Sequence, residues 1–214
     1  MYKLPTMEEL LDRLRPIDTT TLSDAGKDLR VVNPALRPVA PGRKLIGRAV
    51  TVAAHDGLLP VVDALERAGA GDVLVIDGGG GTRALAGELF ASEAHRKGLA
   101  GIVIDGFCRD TAELRNIDLP FYARGSVPHA AGPGSPAGTP GPVQCGGVGV
   151  MPGDILVGDD DGIVVGTADE LAAALEAAEA LQATERSILA AIRSGTSLFE
   201  RLERHAGGLR FKDG

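Results

Sequence analysis

Aromatic side chains are scarce in this sequence: they make up 3% of its 214 residues, and tryptophan is absent. A core without large rings has to be built from valine, leucine, isoleucine and alanine. Each of these side chains buries little area, at roughly 25 cal/mol per Å². Association between subunits would add burial, so the composition favours an oligomer. The length fits one domain of generous size, or one domain plus an extended terminal element.

Other absences exclude classes of function. No apolar run approaches the ~18 residues of a membrane-spanning helix, and the N-terminal residues lack the apolar core of a signal peptide. We therefore expect a cytoplasmic protein without a membrane partner. The net charge of −7 argues against a nucleic-acid partner, because phosphate binding needs a clustered basic face. The two cysteines, Cys108 and Cys145, lack metal-site spacing and are expected to stay reduced.

Lysine is scarce as well, and the five lysines fall in predicted termini, loops or a helix end. Imine-forming aldol chemistry needs a buried, activated lysine. If the reaction concerns a keto acid, the electron sink must therefore be a metal. The four histidines are scattered and make no zinc pattern.

Residues 72–110 carry the clearest structural signal. A nearly continuous apolar run at 72–77 predicts a strand covered on both faces, and a second such strand follows at 101–105. Between them lie four glycines and a segment predicted to be helical through Lys97, ending at Gly98. This unit predicts a parallel pair with a right-handed crossover, whose strand ends open on the sheet edge where α/β proteins bind ligands.

The flanking segments complete an α/β prediction. The predicted helices are at 7–14, 19–26, 58–68 and 169–193, the last with Gly195 as its stop. The predicted strands are at 49–53, 147–151, 155–157 and 163–165, and the last three are expected to form an antiparallel part of the sheet or a small barrel. Residues 33–42 are predicted to be a loop or an edge strand, and residues 132–142 a long loop. The run at 159–162 fits a hairpin turn and fails the calcium-loop template.

Polar residues gather at the predicted strand ends. The glycines at 78–81 could let backbone amides approach an anion, or could only make a tight turn. The pattern Gly79-x-Gly81-x-x-Ala84 imitates a dinucleotide fingerprint, but no second mononucleotide half follows. Asp77 and Asp105 are candidates for a site and equally for hydrogen bonds that anchor loops.

Arg109 and Asp110 follow the second strand, where a guanidinium can bind an anionic substrate and a carboxylate a hard cation. The alternative is that Asp110 and Glu113 form a capping box at the start of a helix. Glu88 could belong to the same site, although its spacing favours a solvated carboxylate in the first turn of a helix.

Taken together, an ordered series of motifs resembles the RraA-like family, which includes 4-hydroxy-4-methyl-2-oxoglutarate aldolases and the regulator of ribonuclease activity A. The motifs are GDVLVIDGGG (71–80), AGEL (86–89), GxxGIVIDGxxRD (98–110), LPFYARG (119–125) and the segment from CGGV (145–148) to DDGIVV (160–165). The likeness covers roughly residues 15–200.

The resemblance implies one domain over residues 1–214 with a swivelling β/β/α-type fold. This fold has a mixed central sheet, N-terminal helices and a long C-terminal helix (168–195) that reaches a neighbouring subunit. Trimers, often paired into hexamers, are implied, with the site at a subunit boundary. The implied partner is a small 2-oxo acid.

The resemblance also implies a divalent cation, magnesium or manganese, with Asp110 as its direct ligand. Arg109 matches the residue that binds the pyruvate end of the substrate. Glu88 stands where the family has an acidic residue, commonly Asp, and Glu185 of a neighbouring subunit best matches a Glu that contacts waters of the metal. The amides implied to hold the substrate carboxylate are those of Gly87, Glu88, Leu89 and Phe90, which requires a helix to begin near Gly87.

The implied activity is a metal-dependent pyruvate aldolase that cleaves 4-hydroxy-4-methyl-2-oxoglutarate or a related 4-hydroxy-2-oxo acid, with oxaloacetate decarboxylation as a side activity. In our hypothesis the metal and Arg109 stabilise the enolate, and a metal-bound water steered by Glu88 and Glu185 acts as the base. The alternative is a non-catalytic regulator that binds ribonuclease E; the long C-terminal helix favours the enzyme. A nicotinamide-dependent oxidoreductase is a weaker third interpretation, and no methyl-donor pocket supports a methyltransferase.

Overall fold

The structure is a computed structural model that describes residues 5–55, 57–135, 140–205 and 208–211, with side chains up to residue 200. The helices are α1 (Met7–Leu14), α2 (Thr19–Ala25), α3 (Leu59–Arg67), α4 (Glu88–Arg96), α5 (Thr111–Leu114), α6 (Ala168–Arg193) and α7 (Leu198–Arg201). None of the described helices is both long and apolar enough to cross a membrane.

The strands are β1 (Arg30–Val31), β2 (Arg37–Pro38), β3 (Leu45–Ala53), β4 (Asp72–Asp77), β5 (Ala84–Ala86), β6 (Gly101–Cys108), β7 (Phe121–Ser126), β8 (Val143–Cys145), β9 (Val148–Val150), β10 (Ile155–Asp159), β11 (Gly162–Gly166), β12 (Leu202–His205) and β13 (Gly208–Phe211). The main sheet has the order β1-β11-β10-β3-β4-β6-β7-β2, and β5 also pairs with β6. Strands β8 and β9, and separately β12 and β13, form two-stranded sheets.

The middle of the main sheet is parallel and its flanks are antiparallel, as the sequence predicts. Strands β3, β4, β6 and β7 run parallel. Strands β10, β11 and β1 continue the sheet antiparallel on one side, and β2 does so on the other. The carboxyl ends of the parallel strands therefore share one edge, where a ligand site is expected.

The alternation of side chains along the parallel strands divides the core between the two faces of the sheet. On β4, Leu74 and Ile76 pack with helices α3 and α4, whereas Val73 and Val75 pack with the β8–β9 hairpin. A third cluster joins α1, α2 and α6 to strands β10 and β11. Both faces of the sheet are covered, which accounts for the nearly continuous apolar runs of β4 and β6.

The long C-terminal helix is present with the predicted boundaries to within a residue. Thr167 and Glu170 form a capping box at the start of α6. The helix packs against α1, α2 and β11, with its buried residues concentrated in its first half. The mixed sheet, the N-terminal helices and this helix confirm the predicted α/β fold class.

The prediction for the segment after the glycine run was wrong at its start. Residues 84–86 were expected to be helical, but they form β5, which pairs in parallel with β6. Helix α4 begins only at Glu88. Alanine and leucine favour helices by a few tenths of a kcal/mol per residue, which is less than the free energy of completing the buried sheet.

Candidate active site

The candidate site lies where β5 and β6 end side by side. Ala86 of β5 is paired with Cys108 of β6, and the amide of Arg109 donates to the carbonyl of Ala86 at 3.1 Å. The residues that follow the two strands, Gly87 and Arg109, are therefore neighbours although 22 positions separate them in the sequence. The sheet thus brings the Arg109–Asp110 pair to the start of α4.

Asp110 has an uncommon backbone conformation, with φ 58° and ψ 41°, and it is the one non-glycine residue with positive φ in the described part of the chain. Aspartate adopts this left-handed region at a cost of about 1 kcal/mol. Its Oδ2 accepts a hydrogen bond from the amide of Glu88 at 3.2 Å and lies 3.3 Å from Nε of Arg109. The strained backbone therefore turns the carboxylate toward the start of α4.

The capping-box interpretation of Asp110 and Glu113 is wrong. The side chain of Asp110 makes no capping hydrogen bond to its own helix, α5. A left-handed residue cannot present its oxygen to the amides of the next turn as an extended N-cap residue does. The carboxylate caps α4 instead. It therefore lies between the end of β6 and the start of α4, where the candidate site is.

Gly87 makes this arrangement possible by being small. Its φ of −161° is accessible to any residue, but a Cβ there would lie 2.4 Å from Oδ2 of Asp110 and 2.9 Å from Cγ of Arg109. As the N-cap residue of α4, Gly87 also has no side chain that could cover the amides of Leu89 and Phe90. Helix geometry gives the amides of Leu89 and Phe90 no partner inside the helix. The helix therefore begins near Gly87, the position that the family resemblance implies.

A cavity of about 120 Å³ opens at this point. The described residues that line it are Leu58, Ala84, Ala86, Gly87, Leu89, Phe90, Arg109, Asp110 and Ala130. The side chains of Arg109 and Asp110 are 40% and 35% exposed, so a ligand could contact both. The positive end of the α4 dipole and the guanidinium together favour an anion.

Four apolar members of this lining, Leu58, Ala84, Ala86 and Ala130, were missed from the sequence. Leu58 precedes α3, Ala84 belongs to β5 and Ala130 follows β7, so three segments that are remote in the chain form one wall. Small and aliphatic residues in loops carry no local signal of a binding role. Only the folded sheet brings them together.

Two of the acidic residues predicted for the site, Glu88 and Glu185, are not among the described residues that line the cavity. The amide of Glu88 contacts Asp110, and its own side chain is exposed. Glu185 lies on α6, whose main packing partners among the described elements are α1, α2, α7 and β11. Within one chain, Glu185 is not among the described residues that line the cavity.

Asp77 and Asp105 anchor loops. Asp77 accepts hydrogen bonds from the amides of Gly79 at 2.9 Å and Gln144 at 3.3 Å, and its Oδ1 lies 3.2 Å from Nε2 of His55. Asp105 accepts from the amide of Gly146 at 2.6 Å and pairs with the guanidinium of Arg124. Of the two interpretations left open by the sequence, the anchoring of loops is the one that the contacts favour.

The glycine run forms a turn. The amide of Gly81 donates to the carbonyl of Gly78 at 3.0 Å, and Gly79 and Gly80 have positive φ. Strand β5 follows this turn, so no helix begins at the glycines to hold a pyrophosphate. The glycines therefore lack the helix that would have to follow them in a dinucleotide-binding motif.

The cysteine beside the site, Cys108, has an unreactive thiol. Burial raises the pKa of the Cys108 thiol to about 11, and the nearby carboxylate of Asp110 adds to this effect. The thiol is therefore neutral near pH 7, which does not suit a thiolate nucleophile. Cys108 and Cys145 are both buried and free, as predicted.

Asp110 is the cavity residue suited to a hard divalent cation. Its Oδ2 is engaged, whereas Oδ1 accepts no hydrogen bond from the residues that the structure describes. Among those residues no group of three or more His, Cys, Asp or Glu side chains converges on one point. Magnesium is commonly held by one or two carboxylates, with waters and substrate oxygens completing its shell. The donor set fits such an ion and does not fit a closed zinc site.

Comparison with known proteins identifies related sequences and folds. The profile of the RraA-like family, described as Aldolase/RraA, matches residues 19–165. A relative from Halalkalibacterium halodurans, named "Putative 4-hydroxy-4-methyl-2-oxoglutarate aldolase", is 36% identical over 160 residues, which are 73% of this chain and 76% of the relative.

Two solved structures extend the likeness over most of the chain. An uncharacterized protein from Pseudomonas syringae pv. tomato superposes with a TM-score of 0.82 at 29% identity, covering 93% of this chain and 98% of its own. Streptomyces coelicolor RraAS2, described as an unusual member of the RNase ES inhibitor RraA protein family, gives a TM-score of 0.73 at 28% identity. It covers 88% of this chain and 99% of its own. On the family profile and the identity to its relatives, the chain belongs to the RraA-like family.

Proposed function

We propose that this protein is a lyase that cleaves 4-hydroxy-2-oxo acids to pyruvate and a second carbonyl compound, with a divalent cation as cofactor. The observation that carries the proposal is the convergence of Arg109, Asp110 and the first turn of α4 on one cavity. The name of the Halalkalibacterium relative supports the same reaction class.

The reaction is a retro-aldol cleavage. The proton of the C4 hydroxyl leaves, the C4–O bond becomes a carbonyl, and the C3–C4 bond breaks. The electron pair of that bond forms the enolate of pyruvate, which takes up a proton at C3. Negative charge develops on the C2 oxygen, so the catalytic requirement is a cationic environment there.

The residues of the cavity meet this requirement in distinct ways. The amides of Leu89 and Phe90 in the first turn of α4 bind the C1 carboxylate, and the guanidinium of Arg109 donates to the C2 oxygen, where charge develops. A divalent cation held by Asp110, when bound, would supply Lewis-acid stabilisation of the same charge. Glu88 and Glu185 of the partner subunit would accept the C4 hydroxyl proton through water.

The test is pyruvate release from a panel of 4-hydroxy-2-oxo acids, measured with and without a chelator. We expect activity that disappears with the chelator and returns with Mg²⁺ or Mn²⁺. Arg109→Ala should lose both this activity and the decarboxylation of oxaloacetate, which passes through the same enolate. Near-normal rates for either reaction in this variant would contradict the proposed role of Arg109.

A second function is favoured by one observation, the likeness to RraAS2. A regulator of that type would bind a ribonuclease of the RNase E class and need no cavity chemistry. A pull-down with the ribonuclease, run beside the pyruvate assay on the same preparation, separates the two functions. Capture of the ribonuclease by a protein that releases no pyruvate would favour the regulator.

A further inference from the structure

We infer that Arg43 is a positioning residue, which holds Asp110 in the left-handed conformation that presents its carboxylate to a divalent cation. This rests on the proposed function and deepens it, because Asp110 is the proposed ligand of that cation. Arg43 lies between β2 and β3 and is not among the described residues that line the cavity. Its effect on the site therefore has to pass through the segment that follows Asp110.

The backbone of Asp110 has to be fixed on both sides. A residue in a sparsely populated conformation persists only when the structure around it determines that conformation. On the N-terminal side, the amide of Arg109 donates to the carbonyl of Ala86 at 3.1 Å and fixes the end of β6. On the C-terminal side, the carbonyl of Asp110 accepts from the amide of Leu114 at 3.0 Å, within α5. Helix α5 must therefore keep its place for Asp110 to keep its conformation.

Helix α5 is too short to hold itself in place. It has four residues, whereas isolated helices shorter than about 12 residues are marginal in water. Its one buried side chain, Leu114, joins it to the core. The last carbonyls of a helix have no partner within the helix, so they need donors from elsewhere.

Arg43 supplies these donors. Its Nη2 donates to the carbonyl of Arg115 at 2.7 Å, and its Nη1 donates to the carbonyls of Leu114 at 3.4 Å and Leu119 at 3.3 Å. The side chain of Arg43 is only 18% exposed, and hydrogen bonds from a charged donor are stronger than those between neutral groups. The guanidinium thus fastens the end of the helical turn that begins at Asp110.

The ion pair of Arg43 is a weaker contact than its bonds to the carbonyls. Nε lies 3.7 Å from Oδ1 of Asp118, whose side chain is 93% exposed. Exposed ion pairs of this kind contribute little. The role of Arg43 therefore lies in its hydrogen bonds to the backbone, and a change at Asp118 separates the two contacts.

Hydrogen exchange of the Glu88 amide, measured by NMR on the metal-free protein, reports the position of the Asp110 carboxylate. This amide donates to Oδ2 of Asp110, whereas the amide of Ala91 donates to the carbonyl of Gly87 within α4 and serves as the reference. Arg43→Met keeps an aliphatic stem and removes the donors. We expect Glu88 to exchange about 5-fold faster in this variant, with the rate at Ala91 unchanged.

Manganese binding, followed by isothermal titration, reports the same position independently of catalysis. The Kd for Mn²⁺ should rise at least about 10-fold in Arg43→Met, as it does when a group that orients a metal ligand is lost. Arg43→Lys keeps the charge but lacks the planar fork, so it should show a smaller rise. If Arg43→Met does not fold, wild-type Mn²⁺ affinity in Arg43→Lys would overturn the inference.

Two control variants should leave the Glu88 exchange rate and the Mn²⁺ affinity unchanged. Asp118→Asn removes only the exposed ion pair of Arg43. Arg48→Met makes the same substitution at an exposed arginine of β3, which pairs with Asp72 at 3.4 Å. A loss of Mn²⁺ affinity in Arg48→Met equal to that in Arg43→Met would overturn the inference.

A purely structural role of Arg43 would give a different result. The Tm of Arg43→Met would fall, the Glu88 and Ala91 amides would exchange faster together, and the folded variant would bind Mn²⁺ normally. That result would overturn the inference, as would the absence of Mn²⁺ binding in the wild type. A wild-type protein that binds Mn²⁺ but releases no pyruvate would instead overturn the proposed function, while weaker Mn²⁺ binding in Arg43→Met would still support the role of Arg43.

Discussion

At the scale of single residues, the site depends on space as much as on charge. Gly87 has an ordinary extended backbone, yet a Cβ there would meet Oδ2 of Asp110 and Cγ of Arg109. Gly87→Ala should therefore displace both side chains and lower kcat/KM for pyruvate release by about 100-fold, since a shift of ~1 Å has this effect on catalytic geometry.

Gly69→Ala is the matched control for this prediction, because a Cβ at Gly69 meets only Oδ2 of Asp72, at an ordinary 3.7 Å. Its kcat/KM should equal that of the wild type. Thermal unfolding checks that Gly87→Ala still folds, and a folded Gly87→Ala protein with normal kcat/KM would contradict the spatial argument.

The charge of Asp110 can be separated from its conformation. Asparagine tolerates the left-handed region and keeps an oxygen for the amide of Glu88, so Asp110→Asn should unfold within a few degrees of the wild-type Tm. It removes the anionic ligand for a hard cation, so pyruvate release should fall below detection. Isothermal titration with Mn²⁺ should show weakened metal binding. Wild-type metal affinity in the variant would exclude Asp110 as the ligand.

At the scale of secondary structure, two helices obtain their N-terminal caps from distant strand ends. Asp110 caps α4, and Asp159 at the end of β10 accepts from the amide of Thr19 at 2.8 Å and from its hydroxyl at 2.6 Å at the start of α2. Neither helix has a side-chain capping bond from its own N-cap residue. These long-range caps fasten both helices to the sheet.

The cap on α2 predicts an acid-sensitive contribution to stability. Burial alone would raise the pKa of Asp159, but hydrogen bonds from Thr19 and the charge of Lys44 outweigh it and lower the pKa below its usual value. The contribution is therefore complete above the unfolded pKa, about 3.9, and is lost as the pH falls through the lower folded value. Asp159→Asn should reduce the free energy of unfolding in urea by about 1–2 kcal/mol at pH 7 and by less at pH 3.

Asp161→Asn is the control, because its exposed side chain has no hydrogen bond within the described residues and only its amide bonds to Asp159. Its unfolding free energy should match that of the wild type at both pH values. An Asp159→Asn deficit that grew at pH 3 would have the wrong sign and would contradict the capping argument.

Helices and strands with a clear hydrophobic pattern were predictable from the sequence, whereas contacts between distant segments were not. Strands β4 and β6 follow from apolar runs that are buried on both faces. The pair Arg109–Asp110 follows from its place after β6. The short strand β5 does not follow from the sequence, because its conformation depends on its pairing with β6. The caps from Asp110 and Asp159 and the apolar wall depend on the folded sheet and leave no local pattern.

At the scale of the whole molecule, the second half of α6 indicates association between subunits. Leu189 and Ile192 are 50% and 37% exposed, and they share a helix face with Glu185 at spacings of four and seven. We propose that this face packs against another copy and delivers Glu185 to its cavity. The double variant Leu189→Glu, Ile192→Glu should be monomeric by light scattering and inactive. Ala183→Glu, on the opposite face, should leave mass and activity unchanged.

Complementation tests whether two subunits build one site. Asp110→Asn and Glu185→Gln should each be inactive alone, because one removes the ligand of the cation and the other a carboxylate for the C4 hydroxyl proton. After the two variants are unfolded together and refolded, random mixing pairs an intact Asp110 with an intact partner Glu185 at about a quarter of the sites. Pyruvate release should recover to about that fraction of wild type. If Glu185 acted within its own subunit, every subunit of the mixture would lack one of the two residues and the mixture would stay inactive. An inactive mixture of associated chains, or a fully active Glu185→Gln variant, would therefore contradict delivery of Glu185 by a neighbour.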